Sequence, residues 1–541
     1  MGRRRWLRTA LAAPIAAGLA ACDRFEAGSP VEARWVGAAH ERGHRIRALA
    51  SKSGSLPTPG RQRSAEALVI GGGIAGLSAL RGLVRGGIDD AQLLELEDEA
   101  GGNSRGHELA GFACPLGAHY LPVPGPQTRE VSEWLHEIGL MRLDPIRRIS
   151  VPDERHLCHS PQERLFIDGV WQEGLLPNAS DRPDTLAQYR RFAERTAALQ
   201  RDLGFALPTH QVGWTAGHAA LDAQTFSDWL KAEGLHDDRL LAYLDYACRD
   251  DYGAGLSTVS AWAGIHYFAS RHGFHAPGER DPATEAGESP VFTWPEGNAW
   301  LTRRLTAPNA ARIHAGRTVL RIEEDRHEVR VLAWNEQAQQ AEAWSAPRAV
   351  VALPFFIAAR VLANPPSALT DAASRARYAP WLVSNLHLDQ PLIDRPGAPP
   401  SWDNVAYAPA GSNASLGYVD ARHQSLNPVR DATVLTVYTA LPETQRTALL
   451  TDTAPTWAQR VIHDIATTLH PDLPRRVKQA DLMRYGHAMR IPVPGARSDP
   501  ALQALRERRG RLRFAHADLC AYSVFEEAFC EGVRAGAVGE G

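Results

Sequence analysis

Two periods run through the pattern of apolar and polar positions. Residues 67–70 (ALVI) are a short, wholly apolar run, and from 74 to 84 the apolar positions recur at helical spacing. Residues 92–96 (QLLEL) read as a second strand. Strand, glycine-rich turn, helix and strand in that order predict the start of an α/β unit with parallel strands. Later, 312–323, 349–354 and 511–518 read as strands, and 160–174 as paired strands turning at Asp168-Gly169. Residues 182–271 are largely helical in pattern. Residues 383–389, 406–419 and 432–440 read as strands, and 457–469 as an amphipathic helix.

A chain of 541 residues exceeds what one core supports, so at least two domains are expected. Apolar residues make up 44% and charged residues 22%, and the net charge is only −3. That balance exerts no general pull toward nucleic acid or an anionic membrane, so function must come from local sites. Residues 1–22 have a basic start and a short Ala-rich apolar run, the pattern of a signal peptide. Residues 3–8 (RRRWLR) resemble a twin-arginine export signal, and Leu19-Ala20-Ala21-Cys22 resembles a bacterial lipobox. These resemblances imply a periplasmic protein held to a membrane through lipid on Cys22. Residues 23–63, without a sustained apolar period, read as a tether. The other five cysteines are too sparse for a disulfide framework, and no spacing suggests a metal site.

The turn between the first strand and helix carries Gly71, Gly73 and Gly76, the G-x-G-x-x-G pattern. Gly71 permits the tight turn, Gly73 lets backbone approach a pyrophosphate, and Gly76 lets helix pack on strand. Ile74 and Ala75 open the helix, whose free N–H groups and positive dipole end face the phosphates. Glu95, at the end of the next strand, is placed to accept protons from both ribose hydroxyls, and its charge would repel a 2′-phosphate. The pattern therefore favours FAD or NAD over NADP.

The residues that follow resemble the flavin amine oxidase and phytoene desaturase superfamily. Glu95, Gly101, Gly102 and Arg105 resemble its E-x-x-x-x-x-G-G-R signature, and Gly117-Ala118-His119-Tyr120-Leu121 resembles its G-A-x-x-L segment. Residues 293–298 (TWPEGN) resemble the turn near the flavin, 312–323 the strand whose Val319 backbone holds adenine, and 511–518 the last strand with Asp518 for the ribityl hydroxyls. Phe525 opens the final helix. The resemblance implies FAD and an α/β fold with an α+β second domain. Its Rossmann-like FAD-binding domain is discontinuous (64–125, 290–370, 495–541), and a sheet-plus-helices substrate domain is interleaved (126–289, 371–494).

By the same resemblance, His119 and Tyr485 are candidate catalytic residues beside the flavin. Tyr243, Tyr246, Tyr252, Trp262 and Tyr267 are either pocket lining or ordinary packing. Oxidases of the superfamily commonly hold a Lys near flavin N5 in K-V-x-L-x-F, and the corresponding 383–388 has Asn385 in its place. The implied activity is an FAD-dependent oxidoreductase taking a hydride from a C–N or C–C bond of a small amine-like or apolar substrate. The acceptor is a quinone, a protein or oxygen. A flavin-dependent desaturase or dehydrogenase, and a non-catalytic flavin-binding partner module, remain open.

Overall fold

The computed structural model describes residues 31–51, 56–125, 127–277, 290–407, 415–423 and 432–538. A five-stranded parallel sheet has the order Ile313–His314, Ala91–Leu94, Ala67–Ile70, Ala349–Val351, Leu512–Phe514. Its strands thus come from three distant parts of the chain. The continuous apolar run at 67–70 follows from burial of both faces: Ala67 and Val69 enter one core cluster, Leu68 and Ile70 another. The first is completed by the helices Ile74–Arg85 and Phe525–Gly536, and the second reaches the four-stranded sheet of Arg61–Ser64, Arg317–Glu324, Val329–Asn335 and Gln340–Ala346.

The two helices touch backbone to backbone. A Cβ on Gly532 would lie 2.2 Å from the Ala75 carbonyl oxygen, and one on Gly536 2.3 Å from that of Ala79. Neither position has room for a side chain.

An eight-stranded sheet forms the other part, in the order Glu32–Trp35, Val477–Arg490, Tyr378–Leu388, Thr433–Ala440, Gly417–Asp420, Asp403–Ala406, Glu163–Ile167, Val170–Glu173. Along its central strand Trp381 and Val383 face the core shared with the rest of the molecule, while Leu382, Leu386 and Leu388 face a separate cluster capped by the helix Ala454–Thr468. Asp168 (φ 51°) and Gly169 (φ 84°) make the tight hairpin turn. Residues 182–271 supply five helices, from Pro183–Leu203 to Ala261–Ala269. Tyr252 and Trp262 are 1% and 2% exposed within this layer, and it is ordinary packing. Among the described residues no helix is long and apolar enough to cross a membrane.

The expected tether is corrected wherever its residues are described. Glu32–Trp35 pairs in parallel with the long strand, Glu32 opposite Gln479 and Trp35 opposite Leu482. His40–Ser51 is a helix, and Arg61–Ser64 pairs with Gln340–Ala346. These elements are short, polar and at sheet edges, so they carry little apolar periodicity. Ion pairs hold them instead: Arg34 to Asp481, Arg42 to Asp98 and Arg45 to Glu336. Cys22 and the export signals lie outside the described residues.

Candidate functional site

One cavity of about 540 Å³ lies where the two sheets meet, within the range of small-molecule and cofactor sites. Its wall begins at the glycine turn. Gly71 has φ 102°, and a Cβ there would sit 2.4 Å from the Ala352 carbonyl oxygen; a Cβ on Gly76 would sit 1.8 Å from that of Gly71. A Cβ on Gly73 would meet nothing within 4 Å. Gly71, Gly73, Ile74 and Ala75 line the cavity, whereas Gly76 packs behind it against the strand. No side chain caps the helix that starts at Ile74, so its first amides are left for a ligand. The helix starting at Phe525 is likewise uncapped, and Phe525 lines the same cavity.

Glu95 is 8% exposed, and its carboxylate accepts from the amides of Gly72 (2.6 Å) and Glu97 (2.8 Å). A carboxylate offers about four lone-pair sites, so acceptor capacity remains for two hydroxyls. Burial nevertheless raises its pKa against those two bonds. Val319 lines the cavity at a register shift of its strand. Asp518 accepts from the Phe355 amide (2.9 Å) and the Tyr378 hydroxyl (2.6 Å). Burial works to raise it, but His516, Arg490 and the Tyr378 hydroxyl together hold it down at about 2.

The remaining sequence-derived candidates fall unevenly. Gly102, Gly117, Ala118, His119 and Tyr485 line the cavity. Arg105 does not: its guanidinium donates to the carbonyls of Gly37 (2.7 Å) and Gly102 (3.2 Å) and binds the N-terminal segment to the loop. Burial lowers His119 to about 3 and leaves its ring stacked on Tyr438 at 4.3 Å, so at neutral pH it is an uncharged imidazole. Burial raises Tyr485 to about 12, and its hydroxyl donates to the Leu116 carbonyl at 2.9 Å. Neither changes its charge near neutral pH.

Asn385 also stands elsewhere than expected. Its amide donates to the Pro115 carbonyl (3.0 Å) and accepts from the Thr436 hydroxyl (2.7 Å). The residues of that strand lining the cavity are Tyr378, Trp381 and Val383, and among the described residues no lysine lines it.

One wall is absent from the sequence reading. Asp250, Asp251, Arg271 and Glu526 line the cavity together with Tyr120, Trp381 and Tyr438. Arg271 is committed to Asp251, at 3.1 and 3.2 Å, with its guanidinium over the Tyr267 ring. Tyr120 offers its hydroxyl to Asp250 at 3.4 Å, and neither Asp250 nor Glu526 has a salt bridge among the described residues. Burial, then the charge of Asp251, raises Asp250 to about 7; burial also raises Glu526 to about 7, although Arg271 pulls it down. Asp250, Asp251 and Arg271 lie within the predicted helical stretch 182–271, where the only signal is the run Arg249-Asp250-Asp251 inside an aromatic-rich segment.

A dinucleotide fits these residues. The cavity presents two uncapped helix starts, a bare Gly73, and the buried oxygen Asn298 Oδ1, which has no hydrogen-bond partner among the described residues. Buried polar atoms without partners are rare, and a polar ligand satisfies them.

Residues 74–538 match the family described as flavin containing amine oxidoreductase. No curated protein matches by sequence. Among solved structures, putrescine oxidase bound to putrescine is 14% identical with a TM-score of 0.60, covering 88% of this chain and 99% of that one. Cyclohexylamine oxidase from Brevibacterium oxydans IH-35A is 17% identical with a TM-score of 0.61, covering 87% and 97%. A fatty acid isomerase from P. acnes is 14% identical with a TM-score of 0.61, also covering 87% and 97%. At these identities the likeness establishes the fold, and one fold here serves amines and a fatty acid alike.

Proposed function

This chain belongs to the flavin containing amine oxidoreductases, and we propose that it oxidises a small cationic amine at the carbon bearing the nitrogen, whose C–H hydride bound FAD would accept. It is an FAD-dependent oxidoreductase. The observation that carries the amine reading is the wall of Asp250, Asp251 and Glu526 against one guanidinium, Arg271, already bound to Asp251. Two carboxyls without a cation of their own, enclosed by the rings of Tyr120, Trp381 and Tyr438, suit a primary or secondary ammonium by charge and by cation–π attraction. An apolar alkene would gain nothing from them and would strip their water.

The bound FAD supplies the hydride acceptor. In this reading Gly73, Ile74 and Ala75 present amides to its pyrophosphate, Glu95 accepts from ribose hydroxyls, Val319 borders the adenine, and Asp518 accepts from the ribityl chain. The Phe525 helix start directs its dipole at the same cavity. Asp250 and Glu526 hold the ammonium, and Asp250 takes the proton that the amine sheds before oxidation. His119 stacks on Tyr438 and shapes the wall without titrating.

Anaerobic titration with amines and with lipophilic alkenes tests the reading. Bleaching of the flavin by an amine and not by an alkene supports it; bleaching by alkenes alone favours the desaturase, and a flavin that no substrate bleaches favours the partner module. A quinone or protein acceptor in preference to oxygen is supported by the lack of a lysine among the described residues of the cavity wall. The periplasmic, lipid-anchored location rests on residues 1–22 and is tested by intact-mass analysis of the membrane fraction, which should show Cys22 as the lipidated N-terminus.

A further inference from the structure

The seven large apolar side chains exposed among the described residues are not scattered evenly: Leu143 (62%), Ile146 (89%) and Ile149 (50%) share a single hairpin. Its strands are Met141–Leu143 and Ser150–Pro152, and Arg142, Arg147 and Arg148 stand exposed among the aliphatic residues. The tip is rigidly shaped. Asp144 Oδ1 accepts from the amides of Ile146 (2.8 Å) and Arg147 (2.9 Å), the Asp144 amide bonds the Ile149 carbonyl, and Arg148 bonds back to the Asp144 carbonyl with φ 56°. The one carboxylate in the loop is thus spent on backbone, and none of the three guanidiniums has a hydrogen bond or ion pair among the described residues.

We infer that this hairpin is a docking surface for an anionic lipid bilayer. Leu143, Ile146 and Ile149 enter the boundary between headgroups and acyl chains, and the three arginines bind lipid phosphates. Two features favour lipid over a protein partner. The patch is aliphatic with no aromatic anchor, whereas protein hot spots are rich in Trp and Tyr and poor in Leu. It is also a narrow tip, while a stable protein interface needs roughly 800 Å² from each side. Guanidinium groups match phosphate oxygens two at a time, which suits a headgroup layer.

The test uses the full chain carrying Cys22→Ser and FAD, so that no N-terminal lipid contributes, in co-sedimentation with vesicles. One set is phosphatidylcholine alone and the other equal parts phosphatidylcholine and phosphatidylglycerol. Binding to the mixed vesicles is expected, with Arg147→Ser/Arg148→Ser weakening it roughly thirtyfold and Ile146→Asp by at least about tenfold. Both variants change only exposed side chains, and unchanged flavin absorbance and melting temperature certify their fold. Failure to bind mixed vesicles, equal binding to both vesicle types, or indifference to the substitutions overturns the assignment.

Discussion

Arg34 grips Asp481 through two hydrogen bonds, of 2.8 and 2.9 Å, and so ties the segment before the glycine turn to a strand 447 residues away. His107 meets the same carboxylate at 2.7 Å. Burial works to raise Asp481, but Arg34 and His107 prevail and keep it low. The helix His40–Ser51, which follows the strand of Arg34, places Ile46, 5% exposed, in the cavity wall.

The N-terminal segment should therefore act on cofactor retention. Ile46→Asp is expected to raise the FAD dissociation rate on the order of tenfold or more, because a buried aliphatic contact is exchanged for a charge. Flavin fluorescence after dilution measures the rate. Wild-type retention in the variant would remove Ile46 from the cofactor site.

Glu95→Ala should leave a folded protein that loses FAD on dialysis. Removing a charged acceptor from ribose hydroxyls costs on the order of 1.5 to 3 kcal/mol of binding. Glu95→Gln, which keeps an acceptor for the Gly72 amide, should retain more FAD than the alanine variant. Flavin-to-protein absorbance ratios after dialysis decide between them.

Asp250 carries a prediction of opposite signs. Its folded pKa, about 7, lies above the unfolded value near 3.9, so the folded state holds the extra proton between those pH values. Stability contributed by this group is full below about pH 4 and falls as pH rises toward 7. Asp250→Asn should raise the melting temperature of the FAD-free protein at pH 8 and leave it unchanged at pH 4, a gain on the order of 1 kcal/mol after allowing for water in the cavity. In the complete enzyme the ionised carboxylate attracts the ammonium, so KM for the amine should fall as pH rises through 7, and the asparagine variant should raise KM and keep only the part of that dependence that Glu526 carries. A pH-independent KM in the wild type would falsify the amine-binding role of Asp250.

Reduced enzyme should react slowly with oxygen and quickly with a soluble quinone. Among the described residues no lysine lines the cavity, Asn385 is occupied by Pro115 and Thr436, and Arg271 is paired with Asp251, so no ammonium is free to stabilise charge building on oxygen. Stopped-flow reoxidation of photoreduced flavin in air-saturated buffer and with quinone measures both rates. Oxygen reacting as fast as the quinone sinks the dehydrogenase reading.

The sequence alone determined the parts whose physics is local. The turn at Gly71, Gly73 and Gly76, the apolar strand before it and Glu95 after it lie in one short stretch, and each is required there by backbone geometry that only particular residue types satisfy. Those parts, with the segments around Gly117 and Asp518, were enough to point to FAD and an α/β fold. What only the tertiary structure decided depends on residues far apart in the chain. Ile46 and the Arg34 strand read as tether because a short polar edge element owes its order to partners elsewhere, not to its own periodicity. Asn385 shares a strand face with Trp381 and Val383, but lies farther along it, where the Pro115 carbonyl and the Thr436 hydroxyl take its amide. The wall of Asp250, Asp251, Arg271 and Glu526 assembles from the helical layer and the last helix, and their charges acquire meaning only when burial brings them together.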